Sequence, residues 1–298
     1  MIPLLIIGFA RVQNIAQMIE EYRSTDRKIY LFIDRAQQQF RSENQELIDF
    51  AVSLEKRSIV KLKISERSLG VGRAVPAAID WVFESESTVI ILEDDCFLTA
   101  QHLNYYDRTI SFLSEERVMV CGTTPDTRVS NLTLDKVIPI QYPLIWGWAT
   151  DYKSWQKLRI IYGLSIRSAL REIHFNCSRR QILGIAFFLS ALIRVRGGRN
   201  FSWDSEIAFI MLAKNYKSLV PNMSIIWNRG ADEYAHHTLS GDQVSYGQHP
   251  NPDIKISEKI NLKSDVGDVR HIERLIERRI YHVKLRNVLS PIKAILGR

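Results

Sequence analysis

The 298-residue sequence is poor in several features that would settle its class at once. Its three cysteines, Cys96, Cys121 and Cys177, are odd in number and show no CxxC spacing, so they outline neither a disulfide framework nor a zinc site. The longest apolar run, Ile182 to Ile193, is twelve residues, against the roughly twenty that a bilayer-spanning helix needs. The opening MIPLLIIGFARVQN lacks a basic leader and a small-residue cleavage site, and it reads as a buried first strand rather than a signal peptide. Nothing is repetitive or low in complexity. No GxGxxG follows the first strand-like run and no GxxxxGK[ST] occurs anywhere, which disfavours a dinucleotide dehydrogenase and a P-loop nucleotidase. A cytoplasmic chain is the expectation.

With 46% hydrophobic and 24% charged residues, the chain has the makings of an ordinary globular protein with one large core or two small ones. The net charge of +7 is unevenly placed. From Val266 onward Arg270, Arg274, Arg278, Arg279, Lys284, Arg286, Lys293 and Arg298 face only Asp268, Glu273 and Glu277, a net +5. A nucleic-acid binder spreads its basic residues over a recognition surface with interleaved aromatics. A single terminal stripe argues against nucleic acid as a partner.

The first 125 residues alternate between two periodicities. Leu4–Phe9, Ile29–Asp34, Ile59–Ile64, Val89–Leu92 and Val118–Cys121 read as short buried strands. Between them Ile15, Met18, Ile19 and Tyr22 recur at helical spacing, as do Leu47, Phe50, Ala51 and Leu54. Ala74–Phe83, with Pro76 in its first turn, and a segment around Leu103–Leu113 are two further helices. Such alternation predicts an α/β fold with a mostly parallel sheet between helices. Ligands of such sheets bind beyond the carboxyl ends of the strands.

Glu93-Asp94-Asp95 stands at one of those ends, directly after an apolar strand. Three carboxylates this close repel one another unless a cation neutralises them. Hard oxygen ligands suit Mg²⁺ or Mn²⁺. Such an ion can neutralise the phosphates of a departing nucleotide diphosphate.

The segments IIGFARVQN, YLFID, LGVGRAVPAAIDWVF, VIILEDDC, YPLIWGWATDYKSW, FSWDSEI and NRGADEYAHHT follow one another from about residue 3 to residue 240. In that order they resemble GT-A glycosyltransferases. The likeness is to the N-acetylglucosaminyltransferase that adds the first branching GlcNAc to N-glycans, and to bacterial sugar transferases of similar length. The resemblance implies a GT-A (Rossmann-like) fold. Residues 1–125 would be its nucleotide-sugar half, 126–265 its acceptor-binding and catalytic half, and 266–298 a basic amphipathic C-terminal helix. It also implies metal-dependent transfer of a hexosyl or N-acetylhexosaminyl group from a nucleotide-sugar donor, most readily a UDP-sugar, to a glycan or lipid-linked acceptor.

The same resemblance makes Asp95 the direct ligand of Mn²⁺ or Mg²⁺, with Asp94 and Glu93 on ribose or donor sugar. Arg11 and Asp34 match nucleotide-holding positions, and Arg67 and Arg73, flanking Gly70, match the phosphate or base loop. Arginines at the mouth of a sheet also suit a diphosphate on their own chemistry. Ser68 stands where related bacterial sequences often carry Asn, so the contacts of that loop stay open. The aromatic stretch Tyr142–Trp155 fits a sugar-binding wall, with Trp148 as the contact residue.

Asp204, after Trp203, matches the family's tryptophan-aspartate base, which gives an inverting transfer. Glu206 is the rival carboxylate, and plain N-capping of a helix is the structural alternative for Asp204. His237, before Thr238, matches a late histidine that completes the metal site, while His236 reads as solvated or structural. Two alternatives share the fold: a sugar-nucleotidyltransferase, whose Gly- and Lys/Arg-rich signature is missing after the first strand, and a non-catalytic sugar- or nucleotide-binding protein. From Val269 to Leu289 an apolar stripe runs beside Arg270, Arg274 and Arg278. It reads either as a helix docked on the sheet or as a peripheral contact with the inner face of an anionic membrane.

Overall fold

The structure, a computed structural model, describes residues 1–125, 132–159, 171, 184–189, 203–230 and 253–281. Its frame is one nine-stranded sheet in which eleven strands, counted along the chain as β1–β11, leave only β5 and β10 outside. Strands β3 (Lys61–Ile64), β2 (Ile29–Ile33), β1 (Leu4–Gly8) and β4 (Thr88–Glu93) lie side by side and all parallel. Each of β1, β2 and β4 is apolar on both faces because helices cover both faces. Leu5 and Ile7 point into one core layer, Leu4 and Ile6 into the other. Only β3 alternates, as an edge strand with Lys61 and Lys63 facing solvent.

Beyond β4 the sheet turns mixed. Strand β8 (Trp148–Asp151) runs antiparallel between β4 and β6 (Arg117–Cys121). Then come β9 (Lys217–Pro221), parallel to β6, and β7 (Thr133–Ile140), antiparallel to β9. β11 (Lys255–Leu262) closes the far edge, parallel to β7. The expected class, a mostly parallel α/β sheet flanked by helices, is the one observed. Residues before and after position 125 contribute strands to the same sheet.

On one face lie α1 (Val12–Tyr22), α2 (Arg41–Lys56) and α4 (Leu103–Thr109). Ile15, Met18, Ile19 and Tyr22 are buried at the spacing the sequence shows. On the other face lie α3 (Val71–Val82), α5 (Tyr152–Arg159), α6 (Trp203–Ala213) and α7 (Val266–Leu275). Helix α3 starts three residues earlier than its periodicity suggests, just after Gly70, whose φ is 72°. Pro76 therefore stands in the second turn, where it cannot donate to the carbonyl of Gly72. Residues 103–113 form not one helix but α4 followed by a 3₁₀ turn, Ile110–Phe112.

The first part of the C-terminal segment takes the docked form of the two read from its pattern. Helix α7 and the π-helical turn Ile276–Ile280 are docked on the protein, with Ile272 and Ile276 fully buried. Burying an isoleucine contributes about 2–3 kcal/mol, so this part of the apolar stripe is used by the core; residues 282–298 lie outside the described residues. Polar contacts agree: Glu273 Oε1 accepts from Gln141 N at 3.1 Å, and Glu277 Oε1 from Tyr142 Oη at 2.8 Å. Among the described residues no helix is long and apolar enough to cross a membrane. Cys96 and Cys121 are buried free thiols.

Candidate active site

Parallel strands end together, so the chain segments that follow β1, β2, β3 and β4 meet at one edge of the sheet. Glu93 is the last residue of β4, paired in register with Ile7, and it is partly exposed. Asp94 turns inward and is 5% exposed. Its carboxylate accepts from Phe9 N at 3.0 Å and from Arg11 Nη1 at 2.5 Å, while Asn14 Nδ2 donates to its carbonyl at 2.8 Å. Asp94 thus fastens the β1–α1 turn to the end of β4, and Arg11 is engaged by it. Asp95, partly exposed, accepts from Cys96 Sγ at 3.2 Å.

The second strand pair shapes this turn. β5 (Cys96–Phe97) and β10 (Trp227–Asn228) form a short antiparallel ribbon, Trp227 opposite Phe97 and Asn228 opposite Cys96. Arg229 N donates to Asp95 O at 2.8 Å. The Arg229 guanidinium lies 3.7 Å from the Trp227 ring centroid and 4.1 Å from that of Phe97, and it reaches Gln17 Oε1 at 2.7 Å. Asn228 Oδ1 accepts from Gly230 N at 2.7 Å, closing a tight turn that presses Gly230 onto the Asp95 carboxylate. Any side chain at 230 would collide with Asp95 Oδ2.

Far along the chain, Asp204 joins the same cluster. It occupies the first turn of α6, partly exposed, with Ser205 N donating to its Oδ1 at 2.8 Å. Burial pushes the Glu93 carboxyl well above the usual range, and the charges of Asp95, Asp94 and Asp204 push the same way against Arg11. Burial likewise raises Asp94, to about 6, though the Arg11 guanidinium pulls it down. Among the described residues Arg11 is set against the carboxylates of Glu93, Asp94, Asp95 and Asp204.

Glu206, two residues on, is only 2% exposed, so of the two candidate bases Asp204 is the one open to the edge. Trp148 is sealed as well, 1% exposed, with its ring 6.1 Å from Trp203 in a stacked arrangement and 6.3 Å from Trp155. Its indole packs the floor beneath α6, which corrects the expectation of a sugar-contacting face.

Asp34, 4% exposed, does local work. Its Oδ1 accepts from Ser65 Oγ and Leu69 N and its Oδ2 from Gly70 N, each at 2.9 Å. It shapes the β3–α3 loop, on which Arg67 and Gly70 stand exposed, and Arg73 is exposed in the first turn of α3 that follows. Asn44, which the sequence pattern alone does not mark, is 3% exposed and ties the β1–α1 turn to the β2–α2 connection. Its Nδ2 donates to Phe9 O (2.5 Å) and Asp34 O (2.8 Å), and its Oδ1 accepts from Ala36 N (3.0 Å). A signal existed: Asn44 continues the buried stripe Leu47, Ile48, Ala51, Leu54 of α2, where a polar residue needs partners. His236 and His237 lie outside the described residues.

Hard carboxylate oxygens and an excess of negative charge fit a divalent cation at Asp95. Among the described residues, however, no three His, Cys, Asp or Glu side chains are arranged to hold one unaided.

No family model matches this sequence, and no curated protein matches it significantly. Solved structures with a distantly similar fold include S. aureus TarS 1–349, 11% identical over 77% of this chain and 61% of that one, TM-score 0.41. Another is the mannosyltransferase PcManGT from Pyrobaculum calidifontis in complex with GDP-Man and Mn²⁺, 11% identical over 54% and 46%, TM-score 0.35. A third is the glycosyltransferase GlyE of Streptococcus pneumoniae TIGR4, 14% identical over 56% and 40%, TM-score 0.34. In each case this chain spans less than two thirds of the other's length. Likeness at this distance says nothing about substrate, metal or acceptor.

Proposed function

We propose that the protein is a metal-dependent GT-A-type glycosyltransferase, which moves a sugar from a nucleotide-diphosphate donor to an acceptor hydroxyl with inversion. One observation carries the reading. The carboxylates of Glu93, Asp95 and Asp204, over a hundred positions apart in sequence, converge with Arg11 where the parallel strands end. That is where ligands of such sheets bind.

Asp95 holds the cation, aided by donor phosphate oxygens and by His237 on the sequence pattern alone. When bound, the cation supplies charge neutralisation for the departing diphosphate. Arg67, exposed on the loop shaped by Asp34, and Arg73, exposed in the first turn of α3, grip phosphate through paired hydrogen bonds. Asp204 takes the acceptor's proton as its oxygen attacks the anomeric carbon from the face opposite the nucleotide. A base so placed accounts for roughly 10²–10⁴ in rate. Glu93, at the end of β4 beside Asp95, contacts a ribose or donor-sugar hydroxyl. The donor is a UDP-sugar in this reading, with a hexosyl or N-acetylhexosaminyl group, and the acceptor a glycan or lipid-linked glycan.

A screen of UDP-, GDP-, CMP- and dTDP-sugars for Mn²⁺-dependent hydrolysis and thermal stabilisation tests this. One nucleotide-diphosphate sugar should be cleaved with metal and spared with EDTA. Cleavage that is indifferent to EDTA and to Asp95→Ala, or no effect of any donor, overturns the reading.

A further inference from the structure

A cavity of about 240 Å³ opens beside the acidic edge, in the β2–α2 connection, and nothing in the proposed mechanism uses it. Arg35, Arg41, Gln37, Gln38 and Gln45 line it, and buried Asn44 lines its inner side. No carboxylate lines it, in contrast with the cluster next to it. Among the described residues neither Arg35 nor Arg41 takes part in an ion pair. Arg35 is braced by its own backbone and Nε on Ser65 (2.8 and 3.2 Å), which fixes where its guanidinium starts.

Two guanidinium groups outside any ion pair, with the amides of Gln37 and Gln38 beside them, offer donors to one cavity, while Gln45 Nε2 is spent on Asp49 Oδ1 at 2.9 Å. The start of α2 adds to the same field. Phe40 precedes it with φ 62° and gives no side-chain cap, so the first helical N–H groups stay open at the cavity, with Glu43 in the first turn offsetting part of their positive end. The cavity is also joined to the acidic edge. Asn44 donates to Phe9 O, Phe9 N donates to Asp94, and the Phe9 and Phe40 rings meet edge to face at 6.1 Å. A ligand seated at Arg35 and Arg41 is therefore a few side chains from the reacting centre.

We propose that this cavity is an oxyanion subsite, which takes a phosphate group carried by a substrate. The volume suits it: at roughly 30 Å³ per water in the liquid, the space holds a tetrahedral oxyanion with its hydration. The oxyanion site stands on the cavity alone, whereas its assignment to a substrate rests on the transferase reading. Two sources share the chemistry, an acceptor that bears a phosphate and the donor's own diphosphate.

Calorimetry on the full chain separates them, with inorganic phosphate in metal-free low-salt buffer and, separately, with UDP plus Mn²⁺. The double variant Arg35→Gln/Arg41→Gln should bind phosphate at least tenfold more weakly than wild type. Arg57→Gln/Arg274→Gln, which removes the same charge from exposed positions elsewhere, should be unchanged. If the first double variant keeps its UDP·Mn²⁺ affinity, the subsite serves the acceptor; a parallel loss assigns it to the donor. Equal phosphate binding by wild type and Arg35→Gln/Arg41→Gln, an equal loss in both double variants, or no phosphate binding by wild type overturns the subsite. A wild type that binds phosphate through these arginines but not UDP·Mn²⁺ keeps the subsite and overturns the transferase reading.

Discussion

Gly230 rests on the carboxylate of Asp95 so closely that a single added methyl group would strike Oδ2. The contact is held by the Arg229 N–H on the Asp95 carbonyl and by the stacking of Arg229 between Trp227 and Phe97. The aim of the Asp95 carboxylate is thus set by a turn more than a hundred residues away.

Gly230→Ala should therefore weaken UDP·Mn²⁺ binding by about tenfold, the effect of roughly 1.4 kcal/mol of lost coordination. The fold has little reason to respond, because the obstruction is to a carboxylate that can swing away. Calorimetry and a melting curve together check this. An unchanged metal affinity with a large drop in Tm would mark the turn as structural only.

Trp148→Ala should cost about 3–5 kcal/mol of stability, as large-to-small changes in packed cores do. Trp148→Phe should cost less and leave donor affinity intact, since the indole packs on Trp203 and Trp155 and not on ligand. Chemical denaturation and donor titration on both variants test this. A selective loss of donor affinity in the Phe variant would restore the sugar-wall role.

Asp204→Asn should lower kcat by 10²–10⁴ with donor affinity nearly unchanged, the signature of an interaction made in the transition state. Glu206→Gln, a buried isosteric change, should act on stability first. Steady-state kinetics and melting curves on the two variants are the measurement. The opposite pattern transfers the base to Glu206.

Acidity should act on stability and on metal binding in opposite directions. Asp94, raised to about 6 chiefly by burial against the pull of Arg11, and Glu93, raised by burial and by the neighbouring carboxylates, both sit above the values of an unfolded chain. The folded state then holds more protons between the two sets of values. These groups favour the metal-free fold increasingly as pH falls from about 6 toward about 4. Cation binding must expel those protons, so UDP·Mn²⁺ affinity should decline as pH falls through 6. Denaturation without metal and calorimetry with it, each at pH 5 and pH 7, give the two signs.

Local patterning made the first half of the fold legible: the apolar runs of β1, β2 and β4 and the helical spacing in α1 need only nearest neighbours to be read. The acidic triplet was visible for the same reason, as charge placed directly after an apolar strand. What could not be read was which carboxylate faces where. Asp94 and Asp95 differ by one position, yet one is buried on Arg11 and the other is left to the edge, a difference created by Phe9, Asn14 and the distant Gly230. Trp148 misled because its aromatic density suits a wall and a core equally. The apolar stripe of α7 carries no mark of what it covers until β7 and Tyr142 are in place.

The insertion of β8 between β4 and β6 has a consequence for biosynthesis. Among the described residues β4 and β6 do not pair, and β6 is paired with β8 and β9 alone, which begin at residues 148 and 217. A growing chain can pair β3, β2, β1 and β4 as they emerge, but it must carry β4 with one bare edge and β6 with two until much later. Bare edges template wrong pairings. The order of synthesis therefore leaves a window, closed only when Pro221 has emerged, in which the nascent protein depends on whatever shields β6.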